Sequence, residues 1–314
     1  MSTSVLRTTD DWYVELPGTG RAVRVDTAAR TTAELLADRA AVEAAAADDG
    51  EAVEVTALEL VSPVTTPCRV VAQMVNYKSH ARDSGMDPDE VLPTFFRKAS
   101  HSVTGPDATV VRPEHVRLLD YEVELGLVIG APLPVGTEVA ETDLPRYVAG
   151  LVVTNDISAR DVQLPKGQFY EGKSYPTFTP VGPRLVLLDP ADHARLGRLR
   201  LRLEVNGVVR QDRTLADIIV PPARALGVLA RFQPLDPGDL VLTGTPGGTA
   251  LRAPAKALEI IGGLLPPAKK WKSFIDRQAA NPAYLRHGDV ITASIATDDG
   301  ALDLGTQRNP VEHR

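Results

Sequence analysis

Leu118–Gly130 reads LLDYEVELGLVIG, two acids set into an otherwise apolar run. Read as a strand, residues two apart share a face. Glu122 and Glu124 then point the same way, with Gly126 next on that face. Tyr121, Val123, Leu125, Leu127 and Ile129 form the other face and have the character of core. About 30 residues on, a second apolar run, Val148–Thr154, ends in Asn155-Asp156. Like charges held close and partly buried repel, so one carboxylate would be driven neutral. A hard divalent cation removes that conflict, because it takes carboxylate oxygens. An E-x-E pattern on an edge strand is more often a solvated face. The apolar flanks and the polar groups around Asp156 argue against that here.

Working outward, short strands with turn signals are expected at 69–75, 121–130, 148–154, 184–188, 199–205, 208–213, 239–243 and 290–296. Asn206-Gly207, between LRLRLEV and VVRQ, is a type I′ hairpin signal. Residues 31–47 are helical by propensity and stop at Asp49-Gly50. Further helical patterns cover part of 142–149, Leu215–Phe232 and a segment near 269–280. The 25 prolines and 24 glycines suit a turn-rich chain. The reading is an α+β, β-rich fold. Residues 1–66 read as a small N-terminal domain and 67–314 as a larger strand-rich domain, with a long late insert at about 249–287. Trp271, Phe274, Ile275 and Gln278 fall at helical spacing in that insert, which reads as a packed surface helix or a lid.

At 314 residues, 43% apolar and 24% charged, the chain has the composition of a water-soluble globular protein. A net charge of -7 with no basic block argues against nucleic acid as a partner. No window approaches 18 uninterrupted apolar residues and the first residues carry no apolar leader, so neither a membrane partner nor a signal peptide is expected. With Cys68 as the single cysteine, a cytoplasmic setting is expected.

Six histidines are present, none in a zinc-hydrolase pattern, and no Walker A, nucleophile-elbow or Rossmann glycine motif occurs. His80 and Asp83 lie three apart; on a helical turn the carboxylate could orient the imidazole as a water-activating base. Residues 156–183 read as a long functional loop carrying Arg160, Gln163, Lys173 and Thr177. Its cations could hold a substrate carboxylate or a developing oxyanion.

Six segments together resemble the fumarylacetoacetate hydrolase family: NYKSH (76–80), FFRKAS (95–100), DYEVELGLVIG (120–130), NDISARDVQ (155–163), GKSYPTF (172–178) and GDLVLTGTPGG (238–248). The resemblance spans roughly 67–250 and resumes near 287–296. It implies a mixed β-roll or sandwich catalytic domain with a small N-terminal domain, and a homodimer. It implies Mg2+ or Mn2+, with Ca2+ as a further candidate, on Glu122, Glu124 and Asp156. His80 sits where the family places its base, with Asp83 in place of the usual glutamate partner. Lys98, Gln163 and Lys173 match residues that contact the substrate or its oxyanion. Tyr77, Arg160, Thr177 and Thr245 match substrate-binding positions. The partner is a small anionic substrate.

The reaction these residues suggest is hydrolysis of a carbon–carbon bond in a diketo acid of the acylpyruvate or fumarylacetoacetate type. Alternatives are decarboxylation of an oxaloacetate-like 2-oxo acid, isomerisation or dehydration of a keto-sugar acid, and a silent scaffold that keeps the fold.

Overall fold

The computed structural model describes residues 2–48, 50–252 and 266–314. Four strands come from the first 66 residues: β1 (Thr3–Arg7), β2 (Trp12–Glu15), β3 (Arg21–Arg24) and β4 (Ala52–Glu54). Ten follow: β5 (Val70–Gln73), β6 (Phe95–Lys98), β7 (Val103–Thr104), β8 (Val110–Arg112), β9 (Leu119–Asp120), β10 (Val123–Ile129), β11 (Val148–Asn155), β12 (Ser158–Ala159), β13 (Thr179–Pro180) and β14 (Leu185–Leu187). β15 (Leu199–Val205), β16 (Val208–Thr214), β17 (Leu240–Leu242), β18 (Val290–Thr297) and β19 (Asp303–His313) complete them.

Two sheets dominate. One has ten strands in the order β4-β3-β2-β1-β14-β11-β10-β17-β5-β6, and the other five, β16-β15-β18-β19-β8. The strands of residues 1–66 extend the larger sheet, because β1 pairs antiparallel with β14. Neither sheet closes into a barrel.

The alternation of β10 explains the layering. Leu125, Leu127 and Ile129 share one core with Leu199, Leu201 and Leu203 of the five-stranded sheet. Val128, on the other face, joins Leu240, Leu242, Leu35, Leu36 and Val42 in a second core. The first core fills a sandwich of two sheets; the second packs the sheet against the helices Thr32–Ala37 and Arg39–Ala47. Both faces of β10 are apolar beyond the acids because both are covered.

The expected strands all form, and three differences have local causes. The 31–47 helix breaks at Asp38, whose φ/ψ is non-helical. The expected helix 215–232 contracts to Pro222–Leu229, since Pro221-Pro222 forbids an α-helix before it. The stretch 156–183 is not one loop: it holds helices Arg160–Lys166 and Phe169–Gly172, separated by the left-handed Gly167. The proposed insert, 249–287, lies partly outside the described residues; within it the helix Pro267–Gln278 forms as expected. Among the described residues no helix is long and apolar enough to cross a membrane.

Candidate active site

Antiparallel pairing brings the three acids together. Val123 is in register with Asn155 and Glu124 with Thr154, so Asp156, just past β11, lies across from Glu122, just before β10. The Asp156 N–H donates to the Glu122 carbonyl at 2.8 Å, and Asn155 Oδ1 accepts the Glu122 N–H at 2.9 Å. Glu122, Glu124 and Asp156 are buried and each offers an oxygen, all within 4.8 Å of one another. Glu122 itself stands outside the strand, so the shared-face reading holds for position but not for its backbone.

The three carboxylates have unequal neighbours. Glu122 accepts hydrogen bonds from Arg160 and from Lys173 Nζ, the latter at 2.7 Å. Burial alone would raise its pKa, but Arg160 and Lys173 hold it below the usual carboxylate range. Asp156 accepts from Lys98 and from Lys173 Nζ, the latter at 2.5 Å. Among the described residues no cation pairs with Glu124. Its Oε2 accepts the Gly244 N–H at 2.7 Å, and burial, then Asp156, then Glu122 push its pKa well up. Gly244 is left-handed at φ 85°, and an added Cβ there would sit 2.8 Å from the Asn76 Cβ. Only glycine lets that N–H reach the acid. A cluster of three hard oxygens with a charge conflict at its centre fits a divalent cation.

Cations and acids alternate around the cluster. Arg160 Nε donates to Asp120 Oδ2 at 2.9 Å and its Nη1 to Gln163 Oε1 at 3.0 Å. Lys98 also donates to the Phe178 carbonyl at 3.1 Å. Burial lowers the Lys98 pKa; for Lys173 burial is outweighed by Asp156 and Glu122, and the pKa rises. Lys98, Lys173 and Arg160 are thus joined to the triad, and Gln163 to it through Arg160.

Five predicted residues, His80, Asp83, Thr245, Thr177 and Tyr77, make no hydrogen bond to the triad among the described residues. His80 does not pair with Asp83. Its Nδ1 is buried with no hydrogen-bond partner among the described residues. Asp83 Oδ2 instead accepts the Gly248 N–H at 2.9 Å and pairs with Arg252 at 2.6 Å. Burial holds the His80 imidazole below its ordinary pKa, with Glu122 opposing. Thr245 spends its hydroxyl on structure: it donates to the Val123 carbonyl at 2.9 Å and accepts from Gln211 at 2.8 Å. Thr177, at φ 73°, accepts the Val111 N–H at 2.8 Å, outside the network on the triad. Tyr77 is fully buried, its hydroxyl unbonded among the described residues, and burial raises its pKa.

The sequence reading passed over Asp120, Asn155 and Gln211. Asp120 takes Arg160 and the N–H groups of Ala250 and Leu251, at 2.8 and 3.1 Å. It stood in the quoted stretch, and its position two before Glu122 was the available signal. Gln211 lies far off in sequence and gave none.

Comparison with known proteins points to one family. The family model "Fumarylacetoacetate (FAA) hydrolase C-terminal" matches residues 69–312. A fumarylacetoacetate hydrolase domain-containing protein 2 homolog of Dictyostelium discoideum is 33% identical, over 73% of this chain and 68% of the relative. The mitochondrial oxaloacetate tautomerase Fahd2a of Rattus norvegicus is 35% identical over 60% of this chain, which spans 59% of that protein's length. Among solved structures, a probable 2-hydroxyhepta-2,4-diene-1,7-dioate isomerase from Mycobacterium abscessus superposes with a TM-score of 0.75 at 30% identity, covering 100% of this chain and 99% of that one.

Proposed function

The chain belongs to the fumarylacetoacetate hydrolase family, and from that premise we propose a divalent-metal-dependent enzyme that moves a proton on the enol of a 2-oxo dicarboxylic acid, a tautomerase or isomerase. The observation that carries the choice is the engagement of Asp83 by Gly248 and Arg252 rather than by His80. Hydrolysis of a carbon–carbon bond needs a base oriented to activate water; proton relocation does not. The rat tautomerase and the mycobacterial isomerase both carry names for reactions of this enol type.

Mg2+ or Mn2+, held by Glu122, Glu124 and Asp156, would supply a Lewis acid for the 2-oxygen and one substrate carboxylate. Lys98 and Lys173 set positive charge beside the enolate. Neutral His80 accepts the proton lost from the enol hydroxyl and returns it to carbon 3. One O–H bond breaks, one C–H bond forms, and no water is consumed. The small anionic substrate expected from the motifs is thereby narrowed to a 2-oxo dicarboxylate.

The test follows the enol absorbance of oxaloacetate with Mg2+ or Mn2+ present, while a second assay measures total oxaloacetate and any pyruvate or oxalate. We expect faster loss of the enol with total oxaloacetate conserved. Asp83→Asn should slow it by less than about tenfold, against the roughly 10²–10⁴ that a general base contributes. Pyruvate or oxalate formed as fast as the enol disappears would sink the proposal.

The pH profile is a separate expectation. A histidine ordinarily titrates near pH 6.5 (roughly), and burial lowers His80. The neutral, proton-accepting form therefore persists to lower pH. The acid limb of kcat/KM should fall below that ordinary value, with activity level from there to neutrality. An acid limb above it, unmoved in a His80→Gln variant, would remove His80 from the role.

A further inference from the structure

Gln211 stands on β16, in the sheet opposite the carboxylates, and is fully buried. The register of β15 and β16 slips there: Leu203 faces Gln211 but Glu204 faces Val209, leaving Arg210 as the extra residue of a bulge. A bulge re-aims the side chains beside it. Gln211 consequently points inward with Leu203, from an apolar sheet face toward β10. A primary amide buried in such surroundings must find its partners there.

It finds three, all around one residue. Oε1 accepts the Val123 N–H at 2.9 Å. Nε2 donates to Thr245 Oγ1 at 2.8 Å and to the Pro246 carbonyl at 2.7 Å. Thr245 Oγ1 in turn donates to the Val123 carbonyl at 2.9 Å. The ring closes on Val123, the residue between Glu122 and Glu124. β17 pairs with β10 only from Gly126 to Val128, so at Val123 this edge has no strand partner. Gln211 and Thr245 replace it.

The loop carrying Thr245 is pressed against the bulge. Gly248 is at φ 110°, and a Cβ there would collide with the Arg210 carbonyl oxygen. The same loop supplies the Gly244 N–H that holds Glu124. Both backbone polar groups of Val123, and the second glutamate, are therefore referred to one glutamine.

We propose that Gln211 is a positioning residue for the metal centre: with Thr245 it clamps Val123 and sets the separation and aim of Glu122 and Glu124. This rests on the reading of the triad as the metal site. Among the described residues the hydrogen bonds of Gln211 go to Val123, Thr245 and Pro246 and none to the carboxylates, so its effect is on metal affinity before it is on chemistry.

The experiment measures Mn2+ affinity by titration, and the melting temperature of the metal-free protein, for five proteins. These are the wild type, Gln211→Glu, Thr245→Val, Thr245→Ser and Asn309→Ala. Gln211→Glu keeps the size and replaces the donating NH2 with an acceptor. Asn309 is a buried amide on β19 that bonds Pro106 and Ala108; its variant reports loss of stability without the clamp. Gln211→Glu and Thr245→Val should weaken Mn2+ by about 10–100-fold, the range for groups that orient metal ligands. Thr245→Ser should bind as the wild type does, and Asn309→Ala should change the melting temperature but not the affinity. If Gln211→Glu does not fold, the Thr245→Val and Thr245→Ser pair decides. Wild-type affinity in folded Gln211→Glu and Thr245→Val overturns the clamp alone. A wild type that binds no Mn2+ overturns the metal reading and the clamp with it.

Discussion

Glu124→Gln removes divalent-metal binding and turnover while leaving the metal-free protein at least as stable as the wild type. Glu124 is buried, and its pKa is raised by burial and by Asp156 and Glu122. Among the described residues its one hydrogen-bond donor is the Gly244 N–H. Burial and the two neighbouring acids favour a proton or a bound cation on this carboxylate. The amide reproduces the protonated form in shape and charge but is a poor ligand. We expect affinity for Mn2+ and kcat/KM each to fall roughly a hundredfold or more, the order for losing one electrostatic partner in a water-poor site. The sign of the pH effect follows from the raised pKa. A carboxyl whose folded pKa lies above its unfolded value contributes stability at low pH that is lost as pH rises through the folded value. In chelator, the wild type should therefore lose stability from about pH 4.3 upward, and Glu124→Gln should not show that loss. Titration with Mn2+ and melting curves in chelator from pH 5 to pH 8 read both. Wild-type metal affinity in this variant would place the metal elsewhere.

Lys173→Ala acts on the other side of the charge balance. Lys173 Nζ bridges Glu122 at 2.7 Å and Asp156 at 2.5 Å, with its side chain 3% exposed, and lies 5.4 Å from the Phe96 ring centroid. Removing one partner of a buried ion pair leaves an uncompensated charge and costs about 3–5 kcal/mol. The loss should be largest without metal and smaller with it, because a bound cation restores positive charge beside both acids and stabilises the folded state by mass action. Urea unfolding in chelator and in saturating Mg2+ measures the two values. Equal losses in the two conditions would show that the ammonium and the cation do not share these carboxylates. Under the proposed reaction turnover should also fall, since Lys173 would be one of the two ammonium groups beside the enolate.

The site was legible where chemistry and periodicity coincide. Glu122 and Glu124 interrupt an apolar alternation, which set them apart from the residues around them. Asp156 closes a second run of the same kind. Lys98, Arg160, Gln163 and Lys173 came through motifs, and the structure joins each to the triad, Gln163 through Arg160. The His80–Asp83 pair was legible as spacing but not as contact. Three residues on a short helix allow a bond; Gly248 and Arg252, reached from the far end of the chain, took Asp83 instead. The motif made Thr245 visible in the sequence, whereas its partner Gln211 was not.

The sequence by itself determined that strands near 121–130 and 148–154 carry the three acids; that the acids are buried was decided by the packing that covers both faces of β10. It determined the family and the hard-oxygen character of the site, since both depend on residue types in a fixed local order. Only the tertiary structure decided that Asp156 lies opposite Glu122, which is a matter of strand register. Only it decided which cation sits on which acid, and that a bulge at Arg210 turns Gln211 onto Val123. Hydrogen bonds and ion pairs act over a few ångströms between residues dozens to over a hundred apart in the chain. No local pattern records which of the available partners the packed sheets bring within reach.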